Sequence, residues 1–244
     1  MTKDKGVRIR RIVLAAHPSV QGRAALEVAA HLAATLGVEL AGFYVQEESL
    51  LRLSTGSILQ EVDAVSGRLR TLEPGDLERQ IRAEASRIRE AMARTAGRLG
   101  VHWSFQVLQG EVSAALTERA ETVDLVAVGF RARSPGRSPG STVRALLAEA
   151  ASPVLVIRRG MRLGRDVHVI DDGSTAGDRA VELARMLAEG REGEVTVLSP
   201  SRKLSGKLFR ASCGLLVLPK SWALAEDVRI GEVLRRVGCP VLVV

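Results

Sequence analysis

Apolar positions along the chain follow two periods in turn. Residues 8–17, Arg-Ile-Arg-Arg-Ile-Val-Leu-Ala-Ala-His, end in a compact apolar run of strand length. Pro18-Ser19 then offers a helix start with Ser19 as N-cap. Ala25, Ala29, Leu32 and Leu36 recur at helical spacing while Arg23 and Glu27 face elsewhere, and Gly37 supplies the stop. Residues 38–45, Val-Glu-Leu-Ala-Gly-Phe-Tyr-Val, read as a second strand. A strand–helix–strand crossover of this kind predicts a parallel sheet.

The pattern then loosens. Ile58, Val62, Val65 and Leu69 predict a helix over 58–70, with an apolar face suited to a specialised contact. After Pro74-Gly75-Asp76, a longer helix buries Leu77, Ile81, Ile88, Met92 and Leu99 and closes at Gly100. Val101, Trp103, Phe105 and Val107 alternate as a strand, and a short helix covers 111–121. Val123–Val128 reads as a buried strand ending at Gly129; a helix over 142–150 and a fifth strand, Pro153–Ile157, follow.

The second half repeats the first in part. Ser19, Gly22, Ala25, Glu27, Ala29, Leu32 and Ala33 recur, 155 residues on, as Ser174, Gly177, Ala180, Glu182, Ala184, Leu187 and Ala188. Pro153-Val-Leu-Val recurs as Pro240-Val-Leu-Val after only 87 residues, so the second copy is shorter and has lost its middle. It keeps strands at 167–171, 194–198, 214–218 and 240–244 and helices at 174–188 and 223–237. The expected division is a complete unit over 1–160 and a shortened, degenerate unit over 161–244, joined near Arg159–Gly164. An apolar strand at 240–244 needs a mate, because an open apolar edge invites aggregation. Its own repeat, 153–157, is the natural one, joining the two units edge to edge as an intramolecular pseudo-dimer.

Composition narrows the classes. With 244 residues and 46% hydrophobic content, the chain can bury a substantial core. No apolar run reaches the roughly 20 residues of a membrane-spanning helix, and the basic N-terminus lacks a signal-peptide pattern. Cys213 and Cys239 form no metal spacing and no disulfide framework, so a cytoplasmic location is expected. The net charge of +7 comes from arginines that alternate with glutamates along helices, as in Glu78-Arg79 through Arg89-Glu90. Solvated helix faces account for them, and few aromatics are available to stack on nucleic acid bases.

Candidate chemistry concentrates in residues 129–142, Gly-Phe-Arg-Ala-Arg-Ser-Pro-Gly-Arg-Ser-Pro-Gly-Ser-Thr. This segment joins the carboxyl end of a buried strand to a helix start, where open parallel sheets place their ligands. It holds Gly129, Gly136 and Gly140, the arginines Arg131, Arg133 and Arg137, three serines and no acid. Glycines let backbone N–H groups close on an anion, a helix N-terminus adds positive potential, and arginines give forked donors to phosphate. A solvated surface loop is the alternative reading.

The pattern strand–Gly129–loop–Gly140-Ser141–helix–Ser152-Pro-Val-Leu-Val-Ile157 resembles the C-terminal signature of the universal stress protein family. The opening strand, the Ser-capped helix and the strand ending at Val45 resemble its beginning. The resemblance implies an α/β fold: an open parallel five-stranded sheet flanked by helices, Rossmann-like and of the adenine nucleotide alpha hydrolase type, in tandem with a truncated second copy. It also implies ATP or AMP as ligand, with adenine near Val45 and Val128 and phosphates over Gly140-Ser141. The implied site is His17, Val45, Val128, Gly129, Arg131, Arg133, Gly136, Gly140, Ser141 and Thr142. ATP-binding members carry Gly-x2-Gly-x9-Gly-(Ser/Thr) and an acid at the first strand's tip. Here Ala132 stands at the second glycine, the loop is two residues shorter, and His17 replaces the acid. The second unit keeps the acid in Asp172-Gly173-Ser174, but its strand 214–218 runs into Pro219-Lys220-Ser221 without a glycine loop. That site is expected to be vestigial, with Asp172 a capping or interface carboxylate.

Two function classes follow. One is a non-enzymatic nucleotide- or anion-responsive regulatory module of stress response, with a site in the first unit only and a protein partner. The other is a structural or partner-binding protein that has lost nucleotide binding. An enzyme is the weaker third, at most a slow ATP hydrolase. No nucleophile–base arrangement stands out, and His17 is the histidine the reading places at the ligand edge, with His31 and His168 inside elements and His102 opening a strand.

Overall fold

The computed structural model describes residues 9–46, 59–62, 69–72, 74–119, 124–130, 140–199, 213–225 and 230–244. Arg11–Ala15 (β1) leads through Val20–Leu36 (α1) to Glu39–Gln46 (β2). Ser19 starts α1 as its sequence suggested: its backbone is extended and its Oγ accepts the Gly22 N–H at 3.1 Å. Gly37 ends the helix in the left-handed region at φ 63°, and the Val38 N–H returns to the Ala33 carbonyl. That conformation lets a helix satisfy its last carbonyls while turning out of its axis.

Leu59–Val62 (β3) and Leu69–Leu72 (β4) pair antiparallel as a separate two-stranded sheet, Leu59 opposite Leu72. This overturns the helix expected over 58–70. Of the four residues on its supposed face, Val62 and Leu69 are on opposite strands; Ile58 and Val65 lie outside the described residues. Val62 closes β3 and Leu69 opens β4, and the two pair with each other, so residues seven apart in sequence meet across a ladder and not along a helix. Ser66-Gly67 between them is a breaker signal that outweighs so short a helical pattern.

Pro74–Arg98 (α2), Trp103–Gln109 (β5), Val112–Arg119 (α3), Leu125–Phe130 (β6), Ser141–Glu149 (α4) and Val154–Arg158 (β7) complete the first half. On α2, Ile88 and Met92 are buried while Ile81 and Leu99 are half-buried against the same core; the Leu77 side chain lies outside the described residues. The second half runs Val167–Ile170 (β8), Thr175–Glu189 (α5), Val195–Leu198 (β9), Leu215–Leu218 (β10), Lys220–Ala223 (α6), Ile230–Arg236 (α7) and Val241–Val243 (β11). The helix expected over 223–237 is thus replaced by one turn directly after β10 and a shorter helix before β11. Pro219, extended at φ −68° and ψ 142°, starts that early turn, as proline's fixed φ suits a first helical turn.

Among the described residues, nine strands form one sheet in the order β5-β2-β1-β6-β7-β11-β10-β8-β9. Every neighbouring pair is parallel except β7 and β11, which run antiparallel with Leu155 opposite Leu242. The order is near-palindromic about that seam: β7, β6, β1 and β2 answer to β11, β10, β8 and β9. Within this sheet β5 has no counterpart, which is where the second copy is short. Helices cover both faces. One core lies under α1, α2 and α5 with Leu32, Met92 and Leu183 fully buried; the other lies under α3, α4, α6 and α7 with Leu116, Leu146 and Leu234. Both run through the seam, so the two halves share their interior. Arg158 Nη2 donates to the Val237 carbonyl at 3.0 Å, tying the halves again beside it. No described helix is long and apolar enough to cross a membrane.

Candidate functional site

The strand order reverses direction between β1 and β6, and there the flanking connections leave to opposite faces. This is the crevice where open α/β sheets take ligands. Register places the expected residues along it. Val128 on β6 lies one residue beyond the Ala127–Leu14 pair, level with Ala15, and Ala15 pairs with Phe43. Val45 lies two residues past Phe43, level with His17. Alternation puts Val45 and Val128 on one sheet face, that of α3 and α4. Val128 is buried and Val45 half-buried, so the floor of the crevice is apolar.

Backbone contacts hold the rim. A Cβ on Gly22 would stand 2.1 Å from the His17 carbonyl oxygen, and one on Gly129 would stand 2.8 Å from the Gln21 carbonyl oxygen. The first turn of α1 therefore rests directly on the tips of β1 and β6, an approach open only to glycine at both positions. His17 is exposed, and its Nδ1 accepts the Ser19 N–H at 3.1 Å. With Nδ1 used as acceptor, a neutral ring carries its proton on Nε2, so the tip offers one N–H donor. Beside it, the buried Tyr44 hydroxyl donates to Glu84 Oε2 at 2.9 Å, pinning α2 to the end of β2. Burial, then the Glu84 carboxylate, pushes that phenol up to about 12.

On the other bank, α4 begins at Gly140, whose backbone is extended and which gives no side-chain cap. The first intrahelical bond is Arg144 N–H to the Gly140 carbonyl, leaving the amides of Ser141, Thr142 and Val143 without an acceptor within the helix. Ser141 is exposed and Thr142 half-buried. The structure thus brings His17, Val45, Val128, Gly129, Gly140, Ser141 and Thr142 to one edge. Arg131, Arg133 and Gly136 lie outside the described residues. No group of three metal-ligating side chains occurs among the described residues.

The second half repeats the frame and closes it. Asp172 stands where His17 stands, and its Oδ1 accepts the Ser174 N–H at 3.1 Å. Ser174 Oγ accepts the Gly177 N–H at 3.0 Å, matching Ser19 and Gly22. Pairing of Leu216 with Val241, against Val126 with Val154, makes Pro219 the counterpart of Gly129. From Pro219 the chain turns at once into α6, and Ser221 Oγ donates to Asp172 Oδ2 at 2.5 Å. Burial raises the Asp172 carboxyl, but the hydroxyls of Ser174 and Ser221 and the Ser174 N–H outweigh it and hold the group below the usual carboxylate range. Lys220 is turned away: its Nζ donates to the Ala150 carbonyl at the end of α4, 2.8 Å away. Asp172 is a capping carboxylate here. Ser221, which closes it, carried no sequence signal beyond its place after a strand.

A family model described as the universal stress protein family matches residues 8–158. No curated protein matches the chain. Among solved structures, a universal stress protein from Archaeoglobus fulgidus DSM 4304 is similar at TM-score 0.71 and 15% identity, over 96% of this chain and 97% of its own. A functionally unknown protein from Pseudomonas aeruginosa PAO1 aligns at TM-score 0.56 and 13% identity, over 97% of this chain and 92% of its own. A putative universal stress protein from Pseudomonas aeruginosa UCBPP-PA14 gives TM-score 0.55 and 13% identity, over 97% and 93%. At these identities the likeness is one of fold, and it spans both halves.

Proposed function

The chain belongs to the universal stress protein family, and from that premise we propose that it is a non-enzymatic, nucleotide- or anion-binding regulatory module of stress response whose site lies in the first half alone. ATP or AMP is the ligand class, with a protein partner reading the bound state. One observation carries the reading: among the described residues the Ser141, Thr142 and Val143 amides at the start of α4 have no acceptor within the helix and no side-chain cap at Gly140, whereas in the second half Pro219 starts α6 at once and Ser221 closes on Asp172. A phosphate would take these three amides and the positive end of the α4 dipole. The arginines of 131–139 would supply forked donors to its oxygens.

Titration calorimetry with ATP, AMP and inorganic phosphate tests it. Binding to the wild type is expected, and Gly140→Asp is expected to weaken it by about tenfold or more, the charge-assisted bond being worth roughly 1.5–3 kcal/mol. That position has an ordinary φ of −55° and open space around a Cβ, so the aspartate caps α4 itself and repels the phosphate without unfolding the helix. No heat from any of the three at millimolar ligand would leave the partner-binding reading, which His17 in place of an acid favours.

A further inference from the structure

Cys213 and Cys239 are 26 residues apart in sequence, and the sheet brings them together. Cys213 leads into β10 and Cys239 into β11, two parallel neighbours whose junction is fixed by the Leu216 N–H bonding the Pro240 carbonyl at 3.0 Å. The Cys239 thiol donates to Cys213 Sγ at 2.8 Å. Register sets Cys239 level with Gly214, one residue past Cys213, so a strand spacing of about 4.8 Å and a rise of about 3.3 Å put the two Cα atoms roughly 6 Å apart, within the roughly 4.4–6.8 Å that a disulfide spans. Cys239 is buried and Cys213 is half-buried. The pair sits at the amino ends of β10 and β11, which the antiparallel seam places at the same sheet edge as the carboxyl ends of β6 and β7, Cys239 level with Arg158.

A third residue gives the pair a polarity. Arg191, just past α5, has Nε, Nη1 and Nη2 all buried without a hydrogen-bond partner among the described residues. A buried guanidinium left so is costly unless an anion lies near. The Asp166 carboxylate and Cys213 are the groups whose charge acts on it. The Cys239 thiol, then the N–H groups of His168 and Leu215 and the Arg191 charge, hold the Cys213 thiol below its ordinary range against the opposing effect of burial. Cys239, donating to that sulfur and buried, is pushed up. The more accessible cysteine is thus the better thiolate, and the sealed one is placed to resolve it.

We propose that Cys213 and Cys239 are a reversible oxidation site for hydroperoxides, with Cys213 as attacking thiolate, Cys239 as resolving thiol and Arg191 as positioning cation. The Cys213 thiolate attacks one peroxide oxygen; the O–O bond breaks, an S–O bond forms, and hydroxide leaves. Cys239 then attacks the sulfenic sulfur, forming the S–S bond as the S–O bond breaks. Its proton leaves with the departing oxygen as water. Two thiols are oxidised by two electrons and the peroxide is reduced to two waters. The product staples β10 to β11, the strand that forms the seam with β7.

The test treats the reduced full-length protein with stoichiometric hydrogen peroxide. Loss of both maleimide-reactive thiols, an intact mass lower by two hydrogens, a Cys213–Cys239 linked peptide and full reversal by dithiothreitol are expected. The melting temperature should rise by roughly 5 °C. Cys239→Ser should instead accumulate trappable sulfenic acid at Cys213, while Cys213→Ser should leave Cys239 unreacted. Wild type that gains oxygen at Cys213 without a disulfide, links only between chains, or keeps both thiols overturns the proposal. For Arg191, the readout is the pH profile of Cys213 alkylation, the charged and titratable groups around Cys213 being Arg191, Asp166, His168 and Cys239, with Arg158 level with Cys239 across the seam. Arg191→Gln should move the midpoint upward and slow alkylation at neutral pH about fivefold; an unchanged midpoint overturns its part.

Discussion

The tips of β1 and β8 are the same construction carried to different ends. Each strand runs into a short turn, a serine N-cap and a glycine in the first helical turn. At each, the residue two before the serine accepts that serine's N–H: His17 through Nδ1, Asp172 through Oδ1. An imidazole nitrogen and a carboxylate oxygen serve equally well in that local bond. They differ in what remains. His17 keeps a donor directed to solvent, while Asp172 keeps a second acceptor, which Ser221 consumes. Capping therefore explains why either residue is tolerated, and only the other bank decides whether the tip is open. In the first half that bank is Gly129 and the uncapped start of α4; in the second it is Pro219 and α6.

The sharpest way to break this equivalence is at the paired glycines. A Cβ at Gly22 meets backbone, the His17 carbonyl oxygen at 2.1 Å, which cannot move without shifting β1 or α1. At Gly177 the nearest atom is Asp172 Oδ1 at 2.6 Å, the end of a side chain, with Asp172 N at 3.2 Å. Alanine gains up to about 1 kcal/mol of helix propensity at either site. Gly22→Ala should nonetheless cost about 3 kcal/mol or more, and Gly177→Ala about 1–2 kcal/mol, in urea unfolding. Equal costs would mean that Asp172 is held as rigidly as a main chain.

Much of this frame was legible in the sequence because it is written in local chemistry. The serine caps, the Gly37 stop and the recurrence of Ser19, Gly22 and Ala25 at fixed spacing each report a short-range constraint, and the structure honours them. The 58–70 segment misled because Val62 and Leu69, seven apart, fit a helical stripe as well as a pair across two antiparallel strands, and strand pairing, not periodicity, chose between them. At the candidate site, the strand–glycine–loop–glycine pattern pointed to the end of β6 and the start of α4, where Gly129 and Gly140 stand. Gly22 was visible as part of the repeat, but its close approach to His17 depends on how α1 settles on β1, which no spacing encodes. The meeting of Cys213 and Cys239 is likewise a product of strand order: only when β10 and β11 are neighbours do their leading residues touch.

A gentler exchange asks what the His17–Asp172 difference means for binding. On the proposed function, His17→Asp restores an acceptor pair for ribose hydroxyls while keeping the turn to the Ser19 N–H. AMP affinity should rise about tenfold, the equivalent of one charge-assisted hydrogen bond, by calorimetry. Asp172→His should leave binding unchanged, since Pro219 and α6 close that tip. A fall in AMP affinity with His17→Asp would show that the first tip reads charge and not ribose.

The smallest effect concerns how the second tip stays shut. Asp172 titrates in the folded chain below its ordinary carboxylate value because hydroxyls and an N–H favour its charged form. Its folded value being the lower one, its contribution to stability is complete above the unfolded value near 3.9 and is lost as pH falls through the folded value. Ser221→Ala removes one of those donors from a partly exposed site, so the deficit at neutral pH should be about 1 kcal/mol or less. It should shrink as thermal melts are taken from neutral pH down past that window, because protonating Asp172 in the wild type removes the same charge-assisted bond. His17→Ala, lacking a carboxylate, should show no such convergence there. A Ser221→Ala deficit that persists unchanged into acid would place the hydroxyl's main partner elsewhere, and the closure of the second tip would then rest on Pro219 and the turn of α6 alone.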